Sequence, residues 1–414
     1  MKIYLVGGAI RDRLLNIPVR DRDWVVVGIR DPKEMLKKNY QQVGKGFPVF
    51  IHPKTHEEYS LARTEKKNGV GHTGFLFDFS SRITLKEDLK RRDLTINAIA
   101  QDSSGKIIDF FNGKKDIQKK ILRHVSYSFQ EDPLRVLRIA RFAALLSHLG
   151  FYIAKKTLSL MKLICSRKEL LYLTPERIWK ETQKGLSTQN PHVYFQVLYS
   201  CNALFFLFPE INYFYKKTYF LNSFIKHINL VQYSLIELSK ISKVTKDINI
   251  RFSYFLQFFY YVYPIPNIGT KDYFFYKKPA FLLKKMLIRL KIPKETSEII
   301  FFLCGFHNFL QNINIQSSKL IIKFFNIIDV WRKPNRLNQL IYLDFYNFNS
   351  LKNKKNDFFL GKLLKYMFSL IKDISVCSFI KEKKFKGIEI KNDLNRLRIQ
   401  SFKEMKEKII LNIF

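Results

Sequence analysis

Asp21 and Asp23 stand one residue apart in "RDRDW", just ahead of the apolar run Val25-Val26-Val27. Side chains alternate across a strand, so both carboxylates are expected on one face, at the lip of a buried strand. Two like charges this close repel each other unless a cation lies between them. Hard carboxylate oxygens that leave room for phosphate oxygens suit Mg²⁺. A pair of such ions can activate an attacking hydroxyl and stabilise a leaving pyrophosphate. A lone D-x-D reads more readily as a solvated strand end whose acids pair with Arg20 and Arg22. Arg22 is expected on the opposite face, paired elsewhere.

The pair is not isolated. Upstream, "VGGAIRD" reads as a strand end, a Gly7-Gly8 turn and a helix start. Glycines let a phosphate approach the backbone, and a helix start offers free N–H groups. Arg11, one turn in, is placed to reach the same anion. In "RRDLTIN", Asp93 and Asn97 lie four apart, stacked on an expected helix where they could bond ribose hydroxyls. The alternative is an ordinary charged helix start with Asp93 as its N-cap. In "EDPLR", Asp132 and Arg135 lie three apart on one helical face. A carboxylate only accepts hydrogen bonds and a guanidinium only donates them. Cytosine and adenine both offer an amino donor beside a ring acceptor, whereas uracil and guanine put a carbonyl where the Asp needs a donor. One Asp–Arg pair can therefore take C and A and refuse U and G, because the wrong base leaves buried polar groups unpaired. The alternative is a surface i, i+3 ion pair worth about 0.2–0.5 kcal/mol. Arg138 and Arg141 extend Arg135 into a basic stripe.

These residues need elements to hold them. "KIYLV", "DWVVVG", "FPVFIHP", "EEYSLAR" and "KIIDFFNG" read as strands. "AIRDRLLN", the run "LKEDLKRRDLTINAIAQD" and "DPLRVLRIARFAALLSHLG" read as helical, and residues 65–82 as a mobile loop. Strand signals fade beyond about residue 126. The pattern predicts an α+β fold: a small N-terminal mixed α/β head followed by an all-helical remainder. "FSYFLQFFYYVYPIP", residues 252–266, is too short to span a bilayer and reads as a buried helix. The 414 residues carry a formal charge of +37, which calls for a polyanionic partner, although a Lys- and Asn-rich coding bias raises charge by itself. Cys165, Cys201, Cys304 and Cys377 show no metal or redox spacing and read as reduced core residues. His52, His56 and His72 read as polar surface residues. The N-terminus lacks a signal-type apolar stretch, so a cytoplasmic location is expected.

"LVGGAIRDRLLNIPVRDRDWVVVG", "DLKRRDLTINAIA" and "EDPLRVLRIARFAA", in that order, closely resemble the motifs of the class II tRNA nucleotidyltransferases, the CCA-adding enzymes of the polymerase-β-like superfamily. The likeness is dense over about residues 1–210; later, "DVWRKPNRLNQL" and "FKGIEIKNDLNRLRI" resemble the carboxyl half of the gammaproteobacterial enzymes. The resemblance implies that Asp21 and Asp23 hold Mg²⁺, with a third catalytic carboxylate at Glu58 in preference to Glu57. It implies that Gly8, Arg11, Arg92, Asp93, Asn97, Asp132, Arg135, Arg138 and Arg141 bind ATP and CTP, with Arg92 facing the triphosphate. It implies a head (1–126), a neck that binds base and tRNA (127–215), a body (216–340) and a basic tail (341–414). The expected partner is tRNA, gripped at its acceptor arm and elbow by a monomeric enzyme with no membrane association. Many gammaproteobacterial relatives carry a phosphohydrolase built on a His-Asp pair in the body. Here that region holds only His227 and His307 and no His-Asp dipeptide, so the body is expected to be a degenerate remnant without that activity. Poly(A) polymerase, a partial enzyme adding only CC or only A, and an inactive RNA-binding module remain as alternatives.

Overall fold

Val25 and Val26 decide the layering of the amino-terminal half. Val25 joins Val6, Ala62, Leu85, Leu89, Ala98 and Ala100 in one core. Val26 joins Ile29, Met35, Phe50, Tyr59 and Leu61 in another. Successive residues of one strand thus feed opposite faces, and a strand covered on both faces must be apolar throughout. The computed structural model describes residues 1–29, 31–43, 49–67, 75–215, 218–219, 228–261, 277–311, 313–341, 359–374 and 387–413.

The strands are β1 (Lys2–Val6), β2 (Asp23–Val27), β3 (Gln41–Val43), β4 (Val49–Ile51), β5 (Glu58–Leu61), β6 (Thr64–Lys67), β7 (Phe75–Asp78), β8 (Ala100–Gln101) and β9 (Ile107–Ile108). Seven of them form a mixed sheet in the order β3-β4-β5-β2-β1-β8-β9. β2 is antiparallel to β1 and parallel to β5. Helices α1 (Gly8–Leu14), α2 (Lys33–Lys37), α3 (Leu85–Lys90) and α4 (Gly113–Gln118) complete the head. A capping box starts α3: the Thr84 hydroxyl accepts from the Glu87 backbone N–H, and the Glu87 carboxylate accepts from that of Thr84.

Several expectations need correction. The stretch 65–82 is not all loop, because β6 and β7 pair antiparallel within it; residues 68–74, with His72, lie outside the described residues. The helix expected through "LKRRDLTINAIAQD" stops at Lys90, gives one 3₁₀ turn at Thr95–Asn97 and then enters β8. Ala98 and Ala100, two apart, both pack in the core of Val6 and Val25, a spacing that suits extended chain and not one face of a helix. Strand pairing also continues past residue 126, where Tyr152–Ile153 runs parallel to Ile121–Leu122.

Beyond the head come α5 (Leu134–Leu146), α6 (Lys155–Ser166), α7 (Pro175–Leu186), α8 (Pro191–Ser200), α9 (Ala203–Leu207) and α10 (Pro209–Tyr215). α5 is buried on nearly all sides and packs against α7 and α8. Cys165 and Cys201 are free and buried here. The chain divides into two compact units, Met1–Lys216 with Arg289–Lys291, and Lys217–Ile288 with Ile292–Phe414. The second unit is mainly helical, from Leu230–Ile241 to Gly387–Ile413, with a two-strand pair at its start. Its interior is rich in phenylalanine, and the Arg398 guanidinium lies 3.4 Å over the Trp331 ring. The apolar stretch at 252 is broken at Gln257 into Ile248–Leu256, largely buried, and Phe258–Tyr261, of which Phe258 and Phe259 are buried; residues 262–266 lie outside the described residues. Among the described residues no helix is long and apolar enough to cross a membrane.

α4 leaves no room for a side chain at its first residue. A Cβ on Gly113 would run into the Thr95 carbonyl oxygen and lie 2.8 Å from Ile99 Cγ1. Gly113→Ala is expected to cost about 1–3 kcal/mol by overpacking, read as a lower midpoint in urea unfolding.

Candidate active site

β2 begins at Asp23, so Asp21 lies just outside the ladder. Asp23 pairs across β1 with Val6 and across β5 with Glu58. Parallel partners share a face, which places Glu58 beside the acid pair. Asp21, Asp23 and Glu58 are all exposed residues, and among the described residues none of their carboxylates makes a hydrogen bond or ion pair. The Asp23 carboxyl is nonetheless partly dehydrated. That burial raises its pKa and nearby Asp21 adds to the rise, against the opposing pull of Arg92 and Arg138. Glu57 is committed on the other side of the strand, accepting from Trp24 Nε1 at 2.9 Å and from Arg22 Nη1 at 3.4 Å. Free hard-oxygen donors, one of them ionising with difficulty, are a donor set that a divalent cation would relieve. Among the described residues no three acidic, His or Cys side chains gather closely enough to hold a metal ion, so Asp21, Asp23 and Glu58 do not form a ready three-ligand set.

Gly7 turns the chain from β1 into α1 at φ 74°, a conformation that favours glycine. Close approach is a second reason for glycine, since a Cβ there would lie 3.0 Å from Arg92 Nη1. The Arg92 guanidinium thus lies over the Gly7-Gly8 turn, close enough to Asp23 to oppose its pKa rise. Its Nη2 makes a 3.3 Å contact with Asp88, and its buried Nε has no hydrogen-bond partner. Asp88 is fully buried; that burial opposes ionisation, but Arg91 and Arg92 hold its pKa below the usual range.

The other head arginine departs from expectation. Arg11 is buried rather than turned to an anion site: Nε bonds Asp12 at 2.8 Å and Nη1 bonds the Asn97 amide oxygen at 2.7 Å. Asp93 and Asn97 do not sit on an α-helix, yet they meet, with Asn97 Nδ2 donating to Asp93 Oδ1 at 3.1 Å. The same oxygen accepts the Leu94 N–H at 2.9 Å, and Oδ2 receives Arg138 Nε at 2.8 Å and Nη2 at 2.7 Å. With four donors the Asp93 carboxylate is saturated, and the ribose role expected for it is not what this geometry offers. Burial opposes its ionisation, but Arg138 and the Asn97 amide overcome this and hold its pKa well below the usual carboxylate range. Asp93 correspondingly raises the pKa of Arg138.

At the start of α5, Asp132 and Arg135 are not on one helical face, because Asp132 precedes Pro133 in extended conformation. Arg135 is buried, and its Nη1 and Nη2 each donate at 2.6 Å, to the Ser128 and Arg91 carbonyls. Asp132 Oδ1 accepts the Leu134 N–H, and Oδ2 accepts Arg177 Nη2 at 3.0 Å. Arg141 donates to Glu181 at 2.7 Å. Arg11, Arg138 and Arg141 surround the Phe142 ring, with guanidinium carbons 5.3, 5.8 and 4.2 Å from its centroid. Sequence reasoning missed Arg177 and Glu181. They lie four apart in "PERIWKE" on α7, and that i, i+4 spacing was the available signal.

Known proteins resemble the chain along its whole length. Residues 3–123 match the family described as the poly A polymerase head domain, and residues 150–215 match the probable RNA and SrmB-binding site of polymerase A. The CCA-adding enzyme of Buchnera aphidicola subsp. Acyrthosiphon pisum (strain Tuc7) is 53% identical over 418 residues, covering 100% of both chains. Two solved structures share the fold at 20% identity. One is a CCA-adding enzyme in complex with CTP (TM-score 0.64; 100% of this chain, 91% of that one). The other is the Thermotoga maritima CCA-adding enzyme complexed with tRNA (TM-score 0.62; 100% and 92%).

Asp23 and Asp93 should change stability with opposite signs. Asp23 has a raised folded pKa, so its penalty is absent below the unfolded value and develops as pH rises through the folded one. Asp23→Asn should therefore raise the melting temperature at neutral pH, and the gain should vanish below about pH 3.9, the ordinary Asp value. The Asp93 contribution is present above the unfolded pKa and is lost as pH falls through the depressed folded one. Asp93→Asn should cost about 2–3 kcal/mol in urea unfolding at neutral pH. That is below the ~3–5 of a fully buried pair, because the Arg138 side chain is 35% exposed. The difference from wild type should narrow in acid.

Proposed function

The chain belongs to the CCA-adding enzymes and is a tRNA nucleotidyltransferase, and we propose that it builds C, C and A on the tRNA 3′ end without a template. The 3′-hydroxyl oxygen attacks the α-phosphorus of CTP twice and then of ATP once. Each attack forms a phosphodiester, breaks the α–β bridging bond and releases pyrophosphate. Asp21 and Asp23, with Glu58 beside them, would hold one or two Mg²⁺ ions; these supply positive charge to acidify the hydroxyl and to neutralise the pyrophosphate. Arg92 takes the triphosphate over Gly7-Gly8, a role supported by its buried, unpartnered Nε. Asp132 would accept the amino group of C or A and Arg135 would donate to the neighbouring ring acceptor, which requires the base to replace present partners, Arg177 of Asp132 and the Ser128 or Arg91 carbonyl of Arg135. Asp93 and Asn97 serve by fixing Arg138 and Arg11 in place. The observation that carries the reading is the unpaired Asp21–Asp23 pair, opposite Glu58 and within reach of the Arg92 charge.

The proposed layout is head 1–126, neck 127–215, body 216–340 and tail 341–414, working as a cytoplasmic monomer. The body is a remnant without phosphohydrolase activity, a reading supported by the missing His-Asp dipeptide. The acceptor arm and elbow of tRNA are held by phosphate contacts, a reading supported by the net charge of +37.

Transcripts lacking CCA, each incubated with one or more labelled nucleotides, test this directly. Three additions, C, C and A, followed by a stop are expected. A long A-tail, or addition of only CC or only A, would overturn the proposal. Asp23→Ala should abolish incorporation with tRNA binding nearly intact, whereas Arg135→Ala should admit wrong nucleotides.

A further inference from the structure

Neither ladder of β2 extends beyond Asp23, so the segment that carries Asp21 has no strand pairing to hold it. What holds it lies on the opposite face. Arg22 and Trp24, the two neighbours of Asp23, both point away from the acid pair and both bond one carboxylate, Glu57. Trp24 is also fixed as a plane, stacked on Tyr59 at 5.6 Å with only 9° between the rings. Tyr59 in turn stacks on His52 at 5.8 Å and meets Tyr40 edge-on at 5.1 Å. The Trp24 to Glu57 bond is charge-assisted and half-buried, so it carries more weight than the exposed 3.4 Å ion pair to Arg22.

We propose that Glu57 is a positioning residue: it clamps Arg22 and Trp24 from behind, so that Asp21 and Asp23 project together with the spacing a divalent cation needs. The clamp also offsets the mutual repulsion of the two acids, which would otherwise splay an unpaired strand end. The inference rests on the reading of Asp21 and Asp23 as cation ligands. It explains why two consecutive glutamates, Glu57 and Glu58, stand opposite the pair: one lies on its face and the other behind it.

Mn²⁺ binding to the substrate-free enzyme, followed by paramagnetic resonance of the free ion, reads the site without turnover. Glu57→Ala should weaken binding about tenfold, in line with the loss of an outer-shell partner. Glu57→Gln keeps an acceptor for the indole and should stay within about threefold of wild type. Trp24→Phe keeps the stack but loses the donor and should behave like Glu57→Ala. Arg22→Ala should change binding less than about twofold. The Mg²⁺ concentration for half-maximal activity should follow the same order, with KM for tRNA unchanged. A folded Glu57→Ala enzyme with wild-type Mn²⁺ affinity would overturn the proposal. Should that variant fail to fold, wild-type affinity in Trp24→Phe would do the same. Asp23→Asn separates the two levels: if it binds Mn²⁺ normally, the cation reading itself fails. If it loses binding while Glu57→Ala does not, only the clamp fails.

Discussion

A carboxylate with almost no solvent must find its donors inside the protein, and Asp93 draws the site together by doing so. Its donors come from its own turn, from Asn97 and from Arg138 on α5. Asn97 in turn accepts from Arg11 on α1. One chain, Arg11–Asn97–Asp93–Arg138, buried but for Arg138, therefore ties the first helix of the head, the turn before β8 and the central neck helix. Breaking any member leaves a buried charge or amide unpaired, so the chain behaves as a unit. Phe142 adds to this by lying among three guanidiniums. The cations could not be packed so closely without Asp12, Asp93 and Glu181 beside them.

Around that rigid centre the acid pair is left unsatisfied. Asp23 has no hydrogen-bond partner among the described residues, carries a raised pKa and stands beside another acid. A fold optimised for stability alone would have paired or removed it. Holding two acids at a free strand end costs stability, a cost that the cation binding proposed for them would offset. The glycine turn under Arg92 keeps side-chain bulk away from the guanidinium, where a Cβ on Gly7 would come within 3.0 Å of Nη1.

The basic stripe Arg135, Arg138 and Arg141 is not a bare polyanion surface. Each cation is already engaged, by carbonyls, by Asp93 and by Glu181. Exposed lysines such as Lys180 and Lys184 on α7, by contrast, make no ion pair among the described residues. Burial lowers the pKa of Lys184. Glu181 opposes the change, but Arg141, Lys180 and Arg138 add to it, as in a locally electropositive face.

The sequence by itself determined the short-range features. Strand alternation put Asp21 and Asp23 opposite Arg22, and apolar runs marked β1, β2, β4, β5 and α5. The glycine pair marked the turn before α1, and the order of three motifs marked the family. Short-range patterns repeat every two or every 3.6 residues and can be read without knowing the fold. Tertiary structure alone decided the partners. Arg138 meets Asp93 across 45 residues, Arg177 meets Asp132 across 45, and Arg141 meets Glu181 across 40. It also decided that "DLTINAIA" ends in a strand, because Ala98 and Ala100, two apart, both join the core of Val6 and Val25. A charged residue carries no local mark of which distant charge will neutralise it. Spacing therefore singled out Asp93, Asn97 and Arg11, and only the fold showed that they bond to one another and to Arg138.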